Sequence, residues 1–175
     1  MARPYYFAYG SNLHPLRLRL RTPSARLFGR AQLRGHRLRF HKRGRDGSAK
    51  CDAWRTGRSE DVVHGVVYRV ARRDRLDLDR AEDLGRGYDR VRRWVSVNGR
   101  TRAVFTYVAR PEAIVDDLMP FDWYLGYVLR GARHQGLPGA YVSGLDRVES
   151  LRDEDGGRRR RNRRVMLRSR PFRRR

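Results

Sequence analysis

Lysine is almost missing from this chain. Of its 42 basic residues only Lys42 and Lys50 are lysine, and the other 40 are arginine. Cysteine is scarcer still: Cys51 stands alone, which excludes an intrachain disulfide, and no Cys/His cluster has zinc-ligand spacing. No run approaches the roughly 20 apolar residues of a membrane span. Met1 to Phe7 lacks the apolar stretch and cleavage site of a secretory signal, so a cytoplasmic protein with no membrane partner is expected. Acidic residues number only 19, giving a formal charge of +23. Such a charge attracts anions and nucleic acid without sequence preference. The arginine bias itself reads most simply as nucleotide composition of the coding DNA.

What is present suffices for one packed core. Hydrophobic residues make up 39% and aromatics 10% of 175 residues, the size of one domain. Tyr5–Tyr9 is a short aromatic run stopped by Gly10-Ser11-Asn12, which reads as a buried strand entering a tight loop. Residues 27–40 suggest one or two strands around Gly35, and residues 62–70 a clear strand. Residues 41–60, rich in Gly, Ser, Arg and Lys, read as a long mobile loop. Asp74 offers an N-cap for a helix over about 75–84, closed by Gly85. Val91, Arg93, Val95 and Val97 alternate onto one face, Asn98-Gly99 is the strongest two-residue hairpin signal, and residues 102–108 return. Residues 111–120 connect to a helix over 123–133, broken by Gly136-Leu137-Pro138, and a last helix is expected over 140–151. The pattern is not the alternating βαβ of a nucleotide fold. It predicts an α+β domain over residues 1–151, a small, mostly antiparallel β-barrel or curled sheet with flanking helices. Residues 152–175 are expected to be a disordered Arg-rich tail, since residues 158–175 hold eleven arginines. That arm either binds polyanions such as non-specific nucleic acid or is a by-product of GC-rich coding DNA.

Three places carry residues suited to chemistry. A strand ending in Gly10-Ser11-Asn12 presents consecutive backbone N–H groups, a concave anion site for a carboxylate or an oxyanion; the bare tripeptide also reads as an ordinary turn. Glu82 follows Leu78 by one helical turn on the same face, a partly desolvated position that raises a carboxyl pKa into the range useful for proton transfer. Spacing alone equally allows a solvated glutamate paired with Arg75 or Arg86. Tyr124, with Gly131-Ala132 and Gly136-Leu137-Pro138, fits a pocket wall or simply the core face of an amphipathic helix. A Ser11 nucleophile lacks the G-x-S-x-G elbow, and Cys51 lies in the polar stretch without a placed histidine. His14, His36, His41, His64 and His134 are scattered and read as structural or surface residues.

The order of these segments is more informative than any one. Tyr6–Leu13 (YFAYGSNL) resembles the N-terminal signature of the γ-glutamylcyclotransferase superfamily, including its AIG-type and γ-glutamylamine members. Val63-His64-Gly65-Val66-Val67-Tyr68 resembles the strand that follows in that family. Leu78–Glu82 resembles the segment with the catalytic glutamate, and Tyr88 the tyrosine soon after it. Trp123-Tyr124, Gly131-Ala132, Gly136-Leu137-Pro138 and Tyr141 are similar to the C-terminal pattern of bacterial members. The resemblance spans about residues 4–150. One departure is Asp83, standing where the family often has glycine; a second carboxylate there would split the role of Glu82 or shift its pKa.

The resemblance implies that a γ-glutamyl compound is cut by its own α-amine, which attacks the γ-carbonyl and closes 5-oxoproline. It implies Glu82 as general base and then general acid. Tyr9, Gly10, Ser11, Asn12, Leu13, Tyr88 and Tyr124 would bind substrate, with Tyr124 ranked before Tyr88. No metal or organic cofactor is called for. A homodimer is compatible with the family. Candidate substrates are γ-glutamyl amino acids, γ-glutamylamines and γ-glutamyl-protected metabolites, with glutathione ranked lower. Arginines lining the pocket would disfavour a cationic leaving amine. The alternatives from other classes are a basic nucleic-acid-binding protein and a catalytically inactive binding module on the same fold.

Overall fold

The structure, a computed structural model, describes residues 4–168. Five strands close into a barrel: β1 (Tyr5–Ala8), β5 (Val62–Arg69), β2 (Arg26–Arg34), β6 (Tyr88–Val97) and β7 (Arg100–Ala109), in that spatial order. Neighbours pair antiparallel except at the closure, where β1 meets β7 in parallel at Tyr6 and Phe105. Successive strand residues face opposite sides, yet Val66 and Val67 of β5 are both fully buried, so both faces of that strand are covered. At the β6–β7 turn Asn98 and Gly99 have φ of 51° and 73°, and Val97 pairs with Arg100. That is the two-residue type I′ hairpin the dipeptide predicts. The expected α+β barrel with helices is the observed fold.

Residues 41–60 are not a long loop. β3 (His36–Arg43) and β4 (Ala49–Arg55) form a separate antiparallel hairpin. Its buried positions are filled by small residues, Ala49, Cys51 and Ala53, beside Lys50 and Asp52, so the segment looks polar although it is half inside. Asp52 ties the hairpin to the barrel. One carboxylate oxygen is 2.9 Å from His41 Nε2, and the other accepts the Ala109 N–H at 2.8 Å.

Among the described residues five helices flank the barrel: α1 (Pro15–Arg21), α2 (Arg75–Ala81), α3 (Asp122–His134), α4 (Gly139–Asp146) and α5 (Gly156–Leu167). α2 stops three residues before the expected end, with Glu82 as its C-cap; the Asp74 side chain accepts the Ser24 N–H instead of capping. α4 is likewise shorter than the 140–151 expected. Among the described residues no helix is long and apolar enough to cross a membrane.

The largest difference is α5, which occupies part of the stretch expected to be disordered; residues 169–175 lie outside the described residues. α5 docks by polar contacts with distant partners that composition does not reveal. Tyr127 donates to the Asn162 carbonyl at 2.8 Å, Arg159 pairs with Asp122 at 2.6 Å, and Met166 is buried. Arg158 pairs at 2.6 Å with Asp153, a fully buried carboxylate that also accepts from Trp123 Nε1. The Arg158 hydrogen bond holds the Asp153 carboxyl down to about 2. A depressed carboxyl stabilises above its unfolded pKa and loses that contribution as pH falls through the folded value. Hydrogen exchange should therefore show α5 protected at pH 4 and released near pH 2, and Asp153→Asn should weaken that protection at pH 7. Equal protection in both proteins at pH 7 would mean that this pair does not hold α5.

Candidate active site

The site lies where β1 runs into the helical layer. After β1, Ser11–Leu13 form a single 3₁₀ turn, with Leu13 N–H bonded to the Gly10 carbonyl and His14 N–H to that of Ser11. The N–H groups of Ser11 and Asn12 have no backbone acceptor among the described residues, as the first turn of a helix requires. Ser11 and Asn12 border a narrow cleft of about 30 Å³, lined also by Tyr6, Tyr9, Gly10, Cys51, Glu82, Tyr88, Tyr107 and Tyr124.

Glu82 is set by three elements. As C-cap of α2 it leaves the helix axis and reaches the 3₁₀ turn, where Oε1 accepts Asn12 Nδ2 at 2.9 Å and an Arg21 guanidinium N–H at 2.7 Å. Oε2 has no partner among the described residues. The arginine beside Glu82 is thus Arg21 of α1, and neither Arg75 nor Arg86. Its setting is a pair of polar donors and not an apolar helix face. Asn12 is committed to this arrangement: its amide nitrogen also donates to Tyr6 Oη at 2.8 Å, and its Oδ1 accepts from Arg21 at 3.0 Å. Asn12 therefore positions Glu82, besides offering its backbone N–H to the cleft.

The tyrosines divide by how their hydroxyls are used. Tyr9 donates to the Tyr107 carbonyl at 2.5 Å, and Tyr88 donates to the Cys51 carbonyl at 2.6 Å. Tyr124 accepts from the Cys51 N–H at 2.9 Å, and its hydroxyl also engages the Cys51 thiol. Burial raises the pKa of all three well above the ordinary phenol value, which keeps them neutral donors and walls at pH 7. Burial likewise pushes the Cys51 thiol up to about 12. Cys51 lines the cleft from β4, not from a loop, as an inert thiol.

Of the other expected residues, Ser11 Oγ accepts from Arg17 Nε at 3.0 Å. Leu13 does not border the cleft: it is fully buried in the core, and its carbonyl accepts from Gln135 Nε2 at 3.0 Å. Asp83 has φ of 54°, the left-handed region that favours glycine and that aspartate tolerates. That conformation accounts for a position where glycine was expected from the resemblance. Its carboxylate pairs with Arg45 at 2.5 Å, and that hydrogen bond holds it below the usual carboxylate range. Asp83 is therefore the ion-pair partner of Arg45.

Outside the inner cleft a wider vestibule of about 200 Å³ opens, sharing Ser11, Glu82, Tyr88 and Tyr124 with it. Arg17, Arg21, Lys42, Arg45 and Lys50 line it, against three carboxylates, Asp46, Glu82 and Asp83. Sequence reasoning missed Arg17 and Arg21, which carry no signal among 40 arginines. The two lysines did carry one, as the chain's only lysines, and both face this space.

Comparison with known proteins gives the family and the fold. The family model described as γ-glutamyl cyclotransferase, AIG2-like, matches residues 6–125. A γ-glutamylcyclotransferase of Bos taurus is 29% identical over 151 residues, covering 82% of this chain and 78% of the relative. The Homo sapiens protein of that name is 30% identical over 152 residues with the same coverage. A solved structure called γ-glutamyl cyclotransferase superposes with a TM-score of 0.79 at 24% identity, over 94% of this chain and 98% of that one, which supports the fold.

Proposed function

Since the chain belongs to the γ-glutamyl cyclotransferase, AIG2-like family, we propose that it cleaves a γ-glutamyl amino acid or γ-glutamylamine to 5-oxoproline and the free amine. The observation that carries this is Glu82, with Oε1 fixed by Asn12 and Arg21 and Oε2 unpartnered at a cleft walled by neutral tyrosines and turn N–H groups. In the reaction the α-nitrogen forms a bond to the γ-carbon, and the bond from that carbon to the departing nitrogen breaks. Going from ammonium to lactam, the α-nitrogen gives up two protons. Going from amide to ammonium, the departing nitrogen takes up two. Glu82 relays them as base and then acid. The N–H groups of Ser11 and Asn12 hold a substrate carboxylate or the developing oxyanion. Tyr9, Tyr88 and Tyr124 shape the cleft. The attack is intramolecular, so holding the folded-back glutamyl group supplies much of the acceleration. The test is 5-oxoproline release from a panel of γ-glutamyl amino acids and amines. Release from at least one is expected, and release from none would reduce the site to a binding cleft.

A second reading is supported by α5. Arg158 and Arg159 pair with carboxylates, whereas the exposed Arg160, Arg161, Arg163 and Arg164 pair with none among the described residues. Replacing these four with glutamine should lower the slope of log affinity for duplex DNA against log salt by roughly 3–4, at about 0.9 per phosphate contact. An unchanged slope would assign DNA binding to the charge of the whole surface.

A further inference from the structure

Lys42 lines the vestibule with its Nζ in no hydrogen bond or ion pair among the described residues, although the carboxylates of Asp83 and Glu82 lie near enough to favour its charge. Only 4% of the residue is exposed, and Nζ rests 4.8 Å from the centre of the Tyr88 ring. A buried charge is tolerated when it is paired, and a ring face only partly replaces an anion. The other cations of the vestibule are committed: Arg21 to Glu82, Arg45 to Asp83, Lys50 to Asp46, and Arg17 to Ser11 Oγ. Among the described residues Lys42 is the one vestibule cation with no oxygen in hydrogen-bond or ion-pair contact. The backbone is shaped to admit it, because a Cβ at Gly87 would lie 2.4 Å from Nζ. A planar guanidinium is larger than an ammonium, and this is one of two positions where an arginine-rich chain carries lysine.

The location says which part of a substrate would meet it. No arginine or lysine lines the inner cleft beside Ser11 and Asn12, while Lys42 lines the vestibule. Glu82 borders both, so a substrate with its glutamyl group in the inner cleft and its γ-carbonyl at Glu82 would direct the departing amine outward, toward Lys42.

Resting on the cyclotransferase function proposed above, we infer that Lys42 is a specificity-determining residue, which binds a carboxylate carried by the departing amine. The test compares γ-glutamyl-alanine with γ-glutamyl-ethylamide, which differ only in that carboxylate, by 5-oxoproline release. A charge-assisted hydrogen bond corresponds to roughly a tenfold to hundredfold preference in kcat/KM for the alanine compound. In Lys42→Met the ratio of the two kcat/KM values should collapse toward one. Gly87→Ala, which only pushes the flexible end of Lys42 aside, should reduce the ratio as well and guards against misfolding of the first variant. Equal turnover of both compounds by the wild type, or a ratio unchanged in both variants, overturns the assignment while leaving the cyclotransferase function in place. No 5-oxoproline from either compound, or from the wider panel, removes that function and the assignment with it.

Discussion

Replacing Glu82 with glutamine is expected to slow 5-oxoproline formation by roughly 10²–10⁴-fold, the usual contribution of a positioned proton-transfer group. The amide keeps the length and shape of the side chain. Its oxygen can still accept from Asn12 and Arg21, which now hold Oε1 at 2.9 and 2.7 Å. What it loses is the ability to take a proton at the Oε2 position and return it. The effect should therefore fall on kcat, with KM little changed and the thermal melt close to that of the wild type. Steady-state kinetics beside a melting curve would separate these outcomes. A kcat within tenfold of the wild type would mean that the proton moves by another route.

Gly131→Ala pits two effects of opposite sign against each other. In a helix interior alanine is favoured over glycine by about 1 kcal/mol. At Gly131, however, α3 crosses the 3₁₀ turn so closely that a Cβ would lie 2.6 Å from His14 N and from the Leu13 carbonyl carbon. Those are backbone atoms, so no side chain can swing away, and such overpacking costs roughly 1–3 kcal/mol. The clash should win and lower Tm by several degrees, at about 2–4 °C per kcal/mol for a chain of this size. It should also displace Asn12 and with it Glu82, where a shift of about 1 Å can cost on the order of a hundredfold in rate. Gly144→Ala is the matched control: in α4, with no atom within 4 Å of the added methyl, it should stabilise slightly. If both variants behave alike, the crossing is looser than its geometry indicates.

How much of this was legible in the sequence depends on how local each cause is. The β6–β7 hairpin was, because Asn98-Gly99 sets its own positive φ angles. The Gly-Ser-Asn turn and Glu82 were legible through the order of the segments around them. β4 was hidden because the side chains it buries are alanine and cysteine, flanked by charges that find partners only in the fold. α1 was hidden for a different reason. Leu and Arg alternate along Pro15–Arg21 at the period of a strand, and the helix is started by Pro15 at its first turn and by His14, whose Nδ1 accepts the Arg17 N–H. Hence Arg21, which reaches Glu82 from 61 positions away, gave no local sign. α5 was misread because its docking rests on Asp122, Tyr127 and Asp153, far back in the chain or just outside the arginine run.

The electrostatic picture links these parts. The hairpin read as a loop supplies Cys51, whose backbone engages Tyr88 and Tyr124, and it supplies Lys42 and Lys50. One insertion beside the barrel thus forms a wall of the inner cleft and much of the charge of the outer one.

The central claim is that the γ-carbonyl is attacked by the substrate's own nitrogen and not by water. It is tested most directly by turning over one γ-glutamyl amino acid in ¹⁸O-labelled water and weighing the product. The account predicts 5-oxoproline without label. Glutamate carrying ¹⁸O in its γ-carboxylate would contradict it and make the protein a hydrolase on this fold.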